Sequence, residues 1–323
     1  MPSHRITITS FTFLSIIFAV AMSGCSTGTQ NEKSPRKEMA SKPDKRESVR
    51  IANRVELPVP IEQYLLSNRQ WNVLMEAEQA LRNRCAQRFD LIYPDIPEGA
   101  TNNQTLTEYR YGILDKKYAA KYGYRTPSAR QAAGIDANLR RQKKAYSSLS
   151  KGARLVLFGA NRADAQPGSE KADKGQRYKG QLIPQGGCSG EAKRKLNGSA
   201  SEGDSPIAVA INMESYAKSM KDAKVRSSFS KWSSCMNSHG YKYEVPRDAD
   251  NDPRWIGNPV TATEKKTAII DTECKLKHNV AGVWYESDVA YQKEMIKENS
   301  RNLAIVKRSI ENRILRAKRV LTK

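Results

Sequence analysis

Apolar side chains recur at helical spacing along most of this chain, most clearly near its end. Val289, Ile296, Leu303, Ile310 and Ala317 repeat every seven residues, and Val306, Ile314 and Leu321 widen the stripe. The pattern predicts one helix from about Trp284 to Leu321. At 1.5 Å per residue it would span roughly 55 Å, so its apolar stripe needs cover from other helices or from a partner. Gln292, Lys293, Asn299 and Ser300 interrupt the seam, which favours packing inside a bundle of the same chain over a coiled coil. Further upstream, Ser67 or Asn68 can cap a helix in which Trp71, Leu74, Glu78, Leu81, Cys85 and Phe89 recur at steps of three and four. Pro206 suits the first position of a helix carrying Ile207, Ala210, Ile211, Tyr216 and Met220. A break near Ala223 precedes another helix with Val225, Phe229, Trp232, Cys235 and Met236. Thr261-Ala262-Thr263-Glu264 has the form of a capping box opening a helix with Ile269, Ile270 and Cys274.

The intervening stretches are less regular. Asp95 to Thr126 is punctuated by Pro97, Gly99, Gly112 and Gly123 and reads as loop-rich. Leu139 to Phe158 predicts one or two short helices, Gly159 to Gly187 a polar insertion or surface loop, and Glu191 to Leu196 a short basic helix. The expected fold class is mainly α: a bundle-like domain over residues 55–323 with long loops and a long C-terminal helix, and with candidate halves 55–198 and 206–323.

The first residues change where this domain is expected to be. His4 and Arg5 form a short polar start, Ile6 to Ala21 is an apolar stretch diluted by hydroxyl residues, and Ser23 and Gly24 precede Cys25. That is the anatomy of a cleaved secretory signal over residues 1–24 and is too short and polar for a permanent membrane span. Met22-Ser23-Gly24-Cys25 resembles the lipobox of bacterial lipoproteins, with Met22 where that family most often has Leu. The resemblance implies lipid attachment at Cys25 and anchoring at the extracytoplasmic face of the cell membrane. Two acyl chains from one modification suffice for stable anchoring. Residues 25–54 lack aromatic side chains and are rich in Ser, Lys, Arg, Glu and Pro, so they cannot bury enough apolar surface to offset ordering and read as a disordered tether. Its expected reach is on the order of 30 Å.

Charge sharpens the picture. The net charge is +21, and removal of the signal takes away only Arg5. Residues 110–154 hold twelve Lys/Arg against Asp115 and Asp136, and residues 300–323 hold eight against Glu311 alone. Outside a cell the abundant anions are phospholipid headgroups and anionic wall polymers, and each basic residue near such a membrane is worth about 1 kcal/mol. A membrane-protein partner is the other expectation, and the export signal argues against nucleic acid. With 38% hydrophobic residues the chain can form a core, but a lean one.

Besides Cys25, the chain holds Cys85, Cys188, Cys235 and Cys274. An even count in an oxidising compartment argues for two disulfides, for which three connectivities exist. Cys85 and Cys235 each sit late in an amphipathic helix, each precede aromatic and proline residues, and are each followed by a second cysteine on a basic segment. This parallel favours Cys85–Cys188 and Cys235–Cys274. Against it stands a zinc reading, because His239 and His278 lie four residues after Cys235 and Cys274 and would share a helical face with them. The compartment and the lack of a C-x-x-C knuckle favour disulfides, with no metal or cofactor expected.

Catalytic signatures are few. G-x-S-x-G, H-E-x-x-H, the P-loop and G-x-G-x-x-G are all missing. Ser148, Ser215 and Ser228 each begin an S-x-x-K run without the S-D-N and K-T-G partners that would give it meaning. Asp248, Asp250 and Asp252 alternate as in a calcium loop, but Pro253 and Pro259 occupy the places of its glycine and glutamate. No catalytic residue is assigned. One cluster suits an anionic or sugar-bearing ligand: Tyr109, Tyr111, Tyr118, Tyr122 and Tyr124 interleave with Lys116, Lys117, Lys121 and Arg125. Aromatic faces stack on sugars while cations meet phosphates. Of these, Lys116, Lys117, Lys121, Tyr122, Tyr124 and Arg125 are the candidate anion-binding residues.

Arg84-Cys85, Gly187-Cys188, Gly190-Glu191-Ala192, Trp232, Cys235-Met236, Gly240-Tyr241 and Pro246 together resemble a group of uncharacterised secreted lipoproteins of actinobacteria. That resemblance implies disulfides and a surface location and brings no activity. The expected protein is a non-catalytic binding or accessory lipoprotein. The alternatives are a cell-wall enzyme built on loop carboxylates and a zinc-binding surface protein.

Overall fold

The computed structural model describes residues 57–94, 107, 109–126, 140, 143–159, 175–198, 203–256 and 259–322. Cys25, the signal segment 1–24 and the tether 25–54 lie outside the described residues. A single-turn 3-10 helix, Pro60–Tyr64, leads into α1, Asn68–Gln87. There follow α2, Lys116–Tyr122, and α3, Lys151–Phe158, with residues 143–148 also helical just before α3. A minimal hairpin pairs β1, Arg177–Tyr178, with β2, Gln181–Leu182, antiparallel. The rest is helical: α4, Gly187–Asn197; α5, Pro206–Lys221; α6, Ala223–Ser238; α7, Pro246–Asp250; α8, Ala262–Lys277; α9, Val280–Glu298; and α10, Ser300–Leu321. The fold is mainly α with a long C-terminal helix, as the periodicity predicts.

Local signals set the boundaries. Ser67 caps α1 in a reciprocal box with Gln70. Asp115 caps α2 by accepting from the backbone N–H of Lys117 and Tyr118, and Asp222 caps α6 in the same way. Pro206 occupies the first turn of α5. Thr261 caps α8, but Glu264 does not reach back to complete a box; it is fully buried against Arg125.

The predicted helix from Trp284 to Leu321 divides at Asn299. The Asn299 backbone leaves the helical region, and its side-chain amide donates to the Met295 carbonyl at 2.8 Å, competing with the helical ladder. The apolar repeat continues across this break because both helices bury the same kind of stripe. The result is two helices of roughly 28 and 33 Å rather than one of 55 Å.

Four apolar clusters make up the interior. The largest gathers Trp232, Trp284, Phe229, Met236, Tyr111, Tyr124 and Trp255 from the stretch α5 to α9 and the segments on either side of α2. All three of these indoles have a partner: Trp232 donates to Asp271, Trp284 to Ser219 and Trp255 to the Ala249 carbonyl. Another cluster packs α10 through Ile310 and Ala317 against α1 and α4, so a helix from the second half of the chain closes the core of the first. A third joins Ile61 and Leu65 to Ile211, Met295 and Leu303.

The fourth cluster lies around a disulfide. Cys85–Cys188 joins α1 to α4 with Cα atoms 5.4 Å apart, beside Phe89, Tyr93, Val156 and Leu157. Cys235–Cys274 joins α6 to α8 at 5.8 Å. Both are the pairings the internal parallel favours. Gly187 explains how Cys188 reaches its partner: its φ is +63°, and a Cβ there would meet the Gly159 nitrogen at 2.5 Å. Only a residue without a side chain lets α4 start against the end of α3.

Candidate functional site

A cleft of about 540 Å³ opens between the 3-10 turn, the start of α1 and the segment leading into α2. Its floor is apolar, with Leu65, Leu66, Ile113 and Leu114, and Tyr109 and Tyr118 stand on its rim. Behind it lies a buried polar network. The Arg110 guanidinium pairs with Asp288, which has no solvent exposure, and donates to the Asn212 side chain at 2.8 Å and its carbonyl at 2.7 Å. Tyr111 donates to Asp288 at 2.8 Å, and the Gln292 side-chain amide donates to Asp288 at 3.2 Å while its oxygen accepts from the Ile61 N–H. Burial and the Asp288 charge push the Tyr111 phenol well above its ordinary range, so it remains a donor. Among the described residues the carboxylates on the cleft lining are Glu62 and Asp115, and Asp115 is occupied in capping α2.

The candidate anion cluster separates in space. Tyr124 is buried, stacked on Trp255 with ring centroids 6.1 Å apart. Arg125 turns inward to Glu264, to which it donates at 3.1 Å, and to the Trp255 carbonyl. Gly123 allows this close approach, since a Cβ at its φ of +59° would meet a Glu264 oxygen at 2.7 Å. Lys116 pairs with Glu273 of α8. Lys117 and Lys121 are exposed, and Lys121 lies over the Tyr122 ring at 5.0 Å. Tyr124 and Arg125 thus hold the segment onto α8, and Lys117, Lys121 and Tyr122 are what the cluster presents outward.

The other sequence candidates resolve into local structure. Cys235, His239 and Cys274 place potential ligand atoms within 4.8 Å of one another, but the two sulfurs are bonded together and offer no thiolate. His278 is not in that group, and burial together with Lys277 and Lys231 lowers its affinity for a proton. Asp248 accepts from the Val245 N–H, Asp250 pairs with Arg247, and Asp252 binds Arg254 and the Tyr243 hydroxyl. These three carboxylates serve turns and do not converge on an ion. The Ser148, Ser215 and Ser228 hydroxyls each donate to a carbonyl one turn back, leaving Lys151, Lys218 and Lys231 exposed, so none is an activated nucleophile.

The basic block of residues 300–323 was legible in the sequence, but not how α10 arranges it. Arg301, Ile305, Arg308, Asn312, Leu315 and Arg319 are exposed at steps of four and three, which aligns them on one outward line opposite the packed stripe. Ile305 and Leu315 are 61% and 53% exposed. Lys307 and Lys318 flank the line, and among the described residues none of these five cations has a carboxylate partner. The signal was available as a second heptad-like spacing, but the buried repeat on the same helix hides it. Among the described residues no helix is long and apolar enough to cross a membrane.

No protein-family model, curated protein or solved structure matches this chain.

Proposed function

We propose that the mature protein is a lipid-anchored, extracytoplasmic binding or accessory protein whose helical domain contacts an anionic envelope component. The observation that carries this reading is the outward line of α10, cations alternating with the exposed Ile305 and Leu315. Basic residues draw a helix to an anionic surface, and interspersed apolar side chains enter the headgroup region. A tether ending in acylated Cys25 would hold the domain within reach of that surface. A membrane-protein partner, such as a transporter, is the second reading. It is favoured by the open cleft, whose apolar floor and tyrosine rim suit a protein segment.

Vesicle binding tests the reading, using the full chain with Cys25→Ser so that no acyl chain contributes. Binding to phosphatidylglycerol vesicles is expected, declining with salt, with little binding to phosphatidylcholine. Arg301→Glu with Arg308→Glu should weaken it by about tenfold or more, since each basic contact is worth about 1 kcal/mol. Equal binding to both vesicle types, or to neither, would overturn the reading.

A further inference from the structure

Where the end of α10 meets α1 and α4, a second, open groove of about 360 Å³ is lined by Arg84, Arg88, Glu191, Lys195, Arg319 and the Cys85 half of a disulfide. We infer that this groove is a binding site for a phosphoryl group, presented as a phosphate ester. Four cations face one carboxylate there, a local excess of three positive charges. A phosphate monoester carries about −1.5 to −2 and offers three strong acceptor oxygens, which matches that excess better than a single carboxylate would.

The helices fix the geometry. Arg84 and Arg88 are one turn apart on α1, and Glu191 and Lys195 one turn apart on α4, so each pair projects from one face. Cys85–Cys188 bonds these two helices beside the groove, which keeps the four side chains' backbones in register without a ligand. Arg84 donates to the Val320 carbonyl at 2.8 Å and so ties the end of α10, with Arg319, to the same place.

Glu191 is the internal counterion. It accepts from both Arg88 and Lys195. Burial raises its proton affinity, but those two cations outweigh burial and hold it ionised. Arg319 has no such partner among the described residues. An incoming phosphoryl group would take Arg319 directly and draw Arg88 and Lys195 away from Glu191. A soluble metabolite presents such a group as a monoester, whereas a phospholipid headgroup or a wall polymer presents it as a diester with one charge and two free oxygens.

This inference rests on the proposed anion-binding role only for the origin of the phosphate, and the experiment keeps the two apart. Binding of glycerol 1-phosphate to the full chain carrying Cys25→Ser is measured by calorimetry, and phosphatidylglycerol vesicle binding in parallel. Three variants are compared with that protein: Lys195→Gln with Arg319→Gln, Glu191→Gln, and Arg301→Gln with Arg308→Gln, the last lying outside the groove. Glycerol 1-phosphate should bind, weaken by about tenfold or more in the Lys195/Arg319 variant, tighten severalfold in Glu191→Gln, and stay unchanged in the Arg301/Arg308 variant. The Glu191→Gln gain is the discriminating result, because damage to the fold cannot tighten binding. If vesicles displace glycerol 1-phosphate, the source is the headgroup. If the ester binds and vesicles do not, the groove stands as a site for a soluble or polymer phosphate while the membrane reading fails. No binding of the ester, or equal affinity in the Lys195/Arg319 variant, would overturn the groove even if vesicles bind normally.

Discussion

Replacing Asp288 with alanine is expected to remove about 3–5 kcal/mol of folding stability, the cost of leaving one member of a buried pair uncompensated. The carboxylate is fully buried and receives bonds from three side chains, Arg110, Tyr111 and Gln292. Without it, among the described residues, the guanidinium keeps Asn212, Ser215 and the face of Tyr216, 4.7 Å away, none of which carries charge. Two further donors lose an acceptor at the same time, each worth about 1–3 kcal/mol when left unsatisfied in the interior. Against a typical total of about 5–15 kcal/mol, such a loss consumes a large share of the fold's margin. Urea denaturation followed by circular dichroism measures it. Arg110→Met combined with Asp288→Leu should recover much of the loss, because it removes both charges. A single Asp288→Ala variant within about 1 kcal/mol of the parent would mean that the network is not what joins the segment before α2 to α5 and α9.

The second large effect is expected from the disulfides. Cys85–Cys188 closes a separation of 103 residues and Cys235–Cys274 one of 39. In the chain-entropy description these constrain the unfolded state by about 4.7 and about 3.9 kcal/mol. Cys85→Ala with Cys188→Ala should therefore lower stability by about 4–5 kcal/mol, and dithiothreitol, which opens both bridges, should destabilise the parent by more than either double substitution. The groove makes one bridge matter beyond stability, since it holds α1 against α4 where Arg84, Arg88 and Lys195 converge. Loss of Cys235–Cys274 should lower the denaturation midpoint while leaving glycerol 1-phosphate affinity in the folded protein unchanged. Loss of Cys85–Cys188 should lower both.

The helices were legible because their apolar periodicity, caps and prolines are local properties. Ser67 and Pro206 do their work within one turn. The cysteine pairing was legible through the parallel placement of Cys85 and Cys235. What was not legible depends on partners far away in sequence. Arg125 looks like a surface cation among lysines, yet Glu264, 139 residues later, buries it; Arg110 meets its carboxylate at a separation of 178. The division at Asn299 was hidden because both flanking helices bury the same heptad, so the apolar stripe does not register a change of direction. The phosphoryl groove combines α1, α4 and α10, and only its i,i+4 pairs, Arg84 with Arg88 and Glu191 with Lys195, leave a trace in the sequence.

The proposed arrangement is a disulfide-stapled helical domain that hangs from a membrane by a lipid on Cys25. Its most direct test is peptide mass spectrometry of the protein purified from its native membrane, first without reductant and then with it. The account predicts an amino-terminal peptide that begins at Cys25 and carries acyl chains, with Cys85 linked to Cys188 and Cys235 to Cys274 until reductant is added. An unmodified Cys25 inside an uncleaved chain, or free thiols at Cys235 and Cys274, would contradict it.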